Sequence, residues 1–322
     1  MPEHVRRVLG SRLFRGLGTA TLLGVVLTQF DFSKAGRTLA DADWGWFAAA
    51  VAVTAVAIII AGVRWWLLLH AAGIPTSRRN AVRLFSLSVL LNSVLPTAVG
   101  GDAVRIWIAG RESRRYVAVT TSVLLDKVTA MACLFVVAGI ALLVDFSPVP
   151  GEVAVVFAWT AAVFAGGLLA AAVAAVASTR LRDRLPERVR MAAGQVAVAL
   201  RGLVGEPRLL VWITALGISY QVLTIGALTL LAKSLGFELA YSLAAVSVAV
   251  VVVAMLIPVS IGGFGVREGG FVLLLGKAGI GATDATLLSL LSVLVLILGG
   301  AVTFVPLALR PSQLRQPSSA DA

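Results

Sequence analysis

The sequence predicts an all-α polytopic membrane protein: six spanning helices and two re-entrant, broken helical segments, arranged as inverted-topology repeats. Three observations carry this. The 322 residues are 59% apolar even without glycine and only 13% charged, with a mean hydropathy of +0.97. Soluble domains lie near ~45–50% apolar, glycine included, and ~25% charged. The apolar residues are gathered into runs of membrane-spanning length. A Pro-Gly-Gly-Arg pattern also occurs twice at one offset.

A spanning helix needs about 20 apolar residues. The first run, 16–30, follows Arg6, Arg7, Arg12 and Arg15 and is short. No small-x-small cleavage site precedes Asp31, so it is read as a retained signal-anchor helix. Residues 46–70, 116–144, 153–177, 209–232 and 285–309 are the other five spans. Two runs are different. Residues 84–95 are too few to span and stop at Pro96, followed by Gly100-Gly101 and a second apolar piece, 104–109. Residues 243–257 stop at Pro258, followed by Gly262-Gly263 and the piece 271–275. Paired Gly/Pro interruptions of this kind mark broken helices.

Leu95-Pro96-x-x-x-Gly100-Gly101-x-x-Val104-Arg105 matches Ile257-Pro258-x-x-x-Gly262-Gly263-x-x-Val266-Arg267, each pair 162 residues apart. The same shift lays 46–70 onto 208–232 and 116–144 onto 278–306. The chain is thus one integral membrane domain, 1–322, with repeats at about 46–144 and 208–309 and a basic linker at about 178–208. The lone helix 153–177 between the repeats inverts the second one. In the linker, Val189, Ala193, Val196, Leu200 and Leu203 alternate with Arg188, Arg190, Gln195 and Arg201. This fits either a helix lying on an anionic leaflet or a solvated basic loop.

The net charge of +11 and pI near 11.1 would point to nucleic acid in a soluble chain. Here they describe topology. Nineteen of the 27 basic residues fall on the face bearing both termini and the linker. Lys34, Arg37, Lys233 and Lys277 fall on the other, and Arg64, Arg105, Lys127 and Arg267 lie within apolar segments. The positive-inside rule makes the nineteen-residue face, and both termini, cytoplasmic in the plasma membrane.

Arg105 and Arg267 follow the breaks, where a helix N-terminus directs unsatisfied N–H groups and a positive dipole end. Guanidinium at such a place favours phosphate or carboxylate. The alternative is internal pairing, Arg105 with Asp102 and Arg267 with Glu268. Asp102, Asp126 and Glu268 are the acids at membrane depth. Asp126-Lys127 stands well inside a spanning helix and must find an interior partner. It could relay a proton, balance substrate charge or pin helices together. Asn92 serves a broken-helix carbonyl, a substrate or the local structure. Pro96, Gly100, Gly101, Pro258, Gly262, Gly263 and Gly265 let the backbone turn closely. Arg64 beside Trp65-Trp66 reads as an interfacial anchor, and Gly166-Gly167 as a close helix contact. One cysteine, Cys133, and two histidines, His4 and His70, provide no disulfide or metal centre. Neither a P-loop nor a catalytic triad occurs, so no cofactor, no metal and no enzyme activity is expected.

Asn92-x-x-Leu95-Pro96-x-x-x-Gly100-Gly101-Asp102-x-x-Arg105, then Asp126-Lys127, then Pro258-x-Ser260-x-Gly262-Gly263-Phe264-Gly265-x-x-Glu268, resemble the flippase-like membrane domain family, the transmembrane region of lysylphosphatidylglycerol synthases. That family commonly has Gly-Glu where this chain has Gly101-Asp102, and Glu-Arg where Asp126-Lys127 stand. Both departures keep the charge, although Lys does not copy a bidentate Arg. The resemblance covers nearly the whole chain and implies a stand-alone member without the synthase domain. It implies movement of a polar or charged phospholipid, or a lipid-linked substrate, between leaflets. Arg105 and Arg267 would grip the headgroup phosphate, while Asp102, Asp126 and Glu268 balance charge or bind a cationic headgroup. The alternatives are a coupled transporter of a small anion, or a non-transporting accessory subunit partnered with a membrane enzyme of an envelope lipid or glycan pathway.

Overall fold

A computed structural model of the chain describes residues 28–95, 100–176, 206–256 and 263–309, with Thr19, Thr21 and Gly24 besides. Ten helices and no strand are found among the described residues. They are α1 (Phe32–Ala40), α2 (Trp44–Ala71), α3 (Arg78–Val94), α4 (Gly100–Ser113), α5 (Tyr116–Val144), α6 (Gly151–Val176), α7 (Pro207–Ser234), α8 (Tyr241–Ala254), α9 (Val266–Gly276) and α10 (Ala282–Leu309). Five of these, α2, α5, α6, α7 and α10, are long and apolar enough to cross a membrane. The protein is an all-α polytopic integral membrane protein. Most of the expected 16–30 span, nearly all of the 178–208 linker, and Pro96, Pro258 and Gly262 lie outside the described residues.

The remaining helices are short. The 17 residues of α3 extend about 25 Å at ~1.5 Å per residue, and its first turn carries Arg78, Arg79 and Asn80. The 14 residues of α8 extend about 21 Å. Neither reaches across a hydrocarbon core of ~30 Å. Each is followed by a shorter helix, α4 or α9, in keeping with two broken segments. Helix α3 begins earlier than its apolar run because the Ser77 hydroxyl caps it, accepting from the Asn80 N–H at 3.2 Å. Helix α1 was not expected from hydropathy at all. The Asp31 carboxylate caps it at the Lys34 N–H, 2.9 Å away.

Helices α2 to α5 are matched in order and kind by α7 to α10. Their packing is reciprocal: α2 lies against α7, its own counterpart, α3 of the first repeat lies against α10 of the second, and α8 of the second against α5 of the first. The central pair is antiparallel. The Asp43 N–H, at the start of α2, donates to the Ser234 carbonyl at the end of α7 (2.9 Å). Lys233 stacks on Trp46 at 3.9 Å. Further along, Arg64 lies over the Tyr220 ring at 5.8 Å. As α2 numbers rise, α7 numbers fall, so the equivalent helices run in opposite directions and the repeats are inverted.

Small residues close these seams. A Cβ on Gly62 would strike the Val82 backbone of α3, and one on Gly299 would press on Thr54 of α2. Thr303 of α10 donates to the Ser86 hydroxyl of α3 at 2.9 Å, a buried polar link between repeats. Gly166 and Gly167 are a correction: both are exposed, with nothing within 4 Å of an added Cβ. Helix α6 stands at the periphery, touching α8 at its inner face, and the pair makes no close contact among the described residues.

Candidate functional site

The first repeat folds its intramembrane charges into one network. Asp126 lies ten residues beyond Tyr116, the first residue of α5, about 15 Å along the axis and so near mid-bilayer. Its Oδ1 accepts from Arg64 of α2 through Nε (3.0 Å) and Nη2 (2.7 Å). Its Oδ2 accepts from Arg105 Nη2 of α4 at 3.2 Å. Arg105 Nη2 also meets Asp102 Oδ1 at 2.9 Å, and Lys127 Nζ meets Asp102 Oδ2 at 2.6 Å. Asn92 of α3 donates to Asp102 Oδ2 at 3.3 Å and accepts from the Gly101 N–H at 2.8 Å. One carboxylate therefore ties α2, α4 and α5 together, and the other draws in α3. The Arg105 guanidinium is further sandwiched by Trp65 and Phe85, 4.9 and 5.0 Å to the ring centres.

Gly101 makes this closeness attainable. A Cβ there would run into the Ser88 carbonyl and the Asn92 N–H, both backbone groups of α3. Its role is close approach, with no left-handed turn. Gly263 and Gly265, at φ +82° and +83°, do supply such a turn in the second repeat. Gly100 begins α4.

The second repeat carries a smaller group. Arg267 of α9 reaches Glu268 Oε1 through Nη2 (2.6 Å) and Nε (3.1 Å), and its Nε also reaches the Ser289 hydroxyl of α10 at 3.1 Å. Glu268 Oε2 accepts the Gly265 N–H at 2.6 Å, closing the helix N-terminus. Ser289 Oγ stands 3.4 Å from Glu268 Oε1. Both internal pairs weighed from the sequence, Arg105 with Asp102 and Arg267 with Glu268, are formed.

Between the repeats lies a cavity of about 490 Å³, walled by α2 and α5 on one side and α7 to α10 on the other. Leu134, Leu228, Val251, Met255, Phe271 and Leu296 represent its mostly apolar lining, and Thr54, Gln221, Thr224 and Ser292 add neutral polar groups. Lys127 and Arg267 are the charged residues among the described lining, and no carboxylate joins them. Gln221 is held in place by donating to the Ala130 carbonyl at 2.8 Å.

Of the residues read as substrate ligands, Arg267 and Lys127 face the cavity. Arg105, Asp102, Asp126 and Glu268 are buried away from it, at 5% exposure or less. Arg64 is a correction. It is 1% exposed and clasps Asp126, far from an interfacial anchor. Arg64 stands seven residues before the end of α2, about 10 Å below that end and so below the interface. Ser289 was also passed over, although it lies 162 residues after Lys127 and so holds the equivalent place. No His, Cys, Asp and Glu group able to hold a metal is found among the described residues.

The chain matches the family model for the lysylphosphatidylglycerol synthase TM region over residues 8–303. No curated protein and no solved structure matches it. The protein belongs to that lysylphosphatidylglycerol synthase TM region family.

Proposed function

We propose that this member of the family moves a polar or charged phospholipid between the leaflets of the cytoplasmic membrane, as a transporter and not an enzyme. The observation that carries the reading is the cavity at the repeat interface. It joins two cations to a largely apolar wall, the combination an amphiphile needs: a charged head held by Lys127 and Arg267, and acyl chains against leucine, valine and phenylalanine. Sites of this kind lie at repeat interfaces in inverted-repeat transporters. The phosphate-holding role expected of Arg105 passes to Lys127, while Arg105, with Asp102 and Asp126, fixes the wall behind it. The basic distribution supports cytoplasmic termini.

The test is leaflet exchange of headgroup-labelled phospholipid in proteoliposomes containing the full chain. The expected result is protein-dependent exchange that falls at least about tenfold in Lys127→Ala plus Arg267→Ala, the effect of losing one or two charge-assisted hydrogen bonds. Counterflow of inorganic phosphate without lipid movement would replace this reading with that of a small-anion transporter. Inertness to both, with a membrane enzyme co-purifying in fixed ratio, would replace it with an accessory role.

A further inference from the structure

The structure assigns a charge preference to this cavity: it takes a lipid whose headgroup is net negative and excludes aminoacylated or otherwise cationic lipids. The inference rests on the transport reading above and concerns what that site accepts.

The arrangement of the carboxylates carries it. A cationic headgroup needs a free acid, and none of Asp102, Asp126 and Glu268 lines the cavity. Each is turned into the protein and already serves a cation: Asp126 serves Arg64 and Arg105, Asp102 serves Arg105 and Lys127, and Glu268 serves Arg267. The first-repeat network is also unbalanced. Three cations, Arg64, Arg105 and Lys127, face two carboxylates. Consistent with that shortage, Arg64 Nη1 and Arg105 Nε and Nη1 are buried without a hydrogen-bond partner. An uncompensated charge inside a membrane protein is costly. An anion beside Lys127, whose side chain is 44% exposed, supplies the missing counter-charge.

The two cavity cations are also free to turn toward a ligand. If Lys127 leaves Asp102, that carboxylate keeps Arg105 at 2.9 Å and Asn92 at 3.3 Å. If Arg267 leaves Glu268, that carboxylate keeps the Gly265 N–H at 2.6 Å and the Ser289 hydroxyl at 3.4 Å. A headgroup phosphate thus gains two cations and strands neither acid. The ammonium groups of a cationic headgroup would find neutral polar side chains and those same two cations but no carboxylate, and like-charge juxtaposition costs affinity.

The experiment compares three lipids with the same acyl chains in proteoliposomes of the full chain: anionic phosphatidylglycerol, zwitterionic phosphatidylethanolamine and cationic lysylphosphatidylglycerol. Lipid retained through purification from a mixture of the three is weighed in parallel by native mass spectrometry. Anionic lipid should exchange at least about tenfold faster than cationic lipid, the discrimination of one charge-assisted hydrogen bond. Lys127→Gln, which keeps most of the length and a polar end but loses the charge, should narrow that ratio. Equal or faster movement of the cationic lipid overturns the inference and leaves transport standing. If no lipid moves, the transport reading falls and retention decides: enrichment of phosphatidylglycerol supports the charge preference, and enrichment of either other lipid overturns it.

Discussion

Arg105 and Arg267 occupy the same place in their repeats, 162 residues apart and four residues beyond the second glycine of each pair, yet they live in different surroundings. Arg105 meets two carboxylates and two aromatic rings and is 2% exposed. Arg267 has one carboxylate, a serine and one ring, Phe264 at 5.4 Å, and it borders the cavity. The counterparts explain the contrast. Where the first repeat has Arg64, Asn92, Asp102 and Asp126, the second has Gly226, Ala254, Phe264 and Leu288. The two repeats share a backbone plan, but the first carries most of the buried charge and the second little of it. The first repeat is anchored by its ions, and the second offers its single intramembrane arginine to whatever fills the space between them.

This contrast is most easily broken at Asp126. In Asp126→Ala, two buried guanidiniums lose their shared counter-charge, and breaking a buried pair costs about 3–5 kcal/mol. The expected outcome is loss of monodisperse folded protein, read by size-exclusion chromatography and thermal unfolding in detergent. A variant melting like the parent would show that the ions of the first repeat anchor nothing. Next come the equivalent glycines 101 and 263. Gly101→Ala drives a methyl into the α3 backbone and should cost about 1–3 kcal/mol. Gly263→Ala meets only the flexible Met255 side chain and the left-handed backbone penalty, about 1–2 kcal/mol. The first should lower the melting temperature at least as far as the second, and the reverse order would put the tighter contact in the wrong repeat.

Arg267→Ala sharpens the comparison from the other side. Glu268 loses its cation but retains the Gly265 N–H and Ser289, so the unfolding midpoint should fall by less than in Asp126→Ala, equivalent to about 1.5–3 kcal/mol, while lipid exchange is largely lost. Arg105→Ala, which empties a buried space beside Trp65 and Phe85, should lower the midpoint further, by the equivalent of about 3–5 kcal/mol. The smallest effect is expected at Lys34, whose 2.7 Å pair with Asp284 is partly exposed. Lys34→Ala should cost no more than about 1 kcal/mol, seen as a near-coincident melting curve.

The repeat, the breaks and the helix order were legible because each rests on a one-dimensional signal: apolar run length, Pro-Gly-Gly spacing and a constant offset. Which arginine borders the cavity was not. Arg105 and Lys127 both lie within helices, and only the folded chain shows Arg105 turned inward, over Trp65 and Phe85. Arg64 was hidden by its neighbours, since Trp65-Trp66 imitates an interfacial belt. In the folded chain Trp65 is buried and donates to Ser122 at 3.2 Å, while Trp66 donates to the Thr76 carbonyl at 3.0 Å beyond the helix end. The pair straddles the boundary that its composition marks as one level. Helix α1 escaped because a single Asp cap, not hydrophobicity, sets its start.

The order in which the network's members leave the ribosome has a consequence for biogenesis. Arg64, Asn92, Asp102, Arg105, Asp126 and Lys127 all precede residue 128, so their partners are complete when the second repeat has yet to be made. Synthesis runs from the N-terminus, and early units fold as they emerge. Both carboxylates of the network therefore have their cations before α8 and α10 arrive to cover α5 and α3. Until then those two faces must rest in lipid or in the grip of the insertion machinery. The nascent protein waits with its buried acids already paired and largely apolar surfaces open, a condition a bilayer tolerates well.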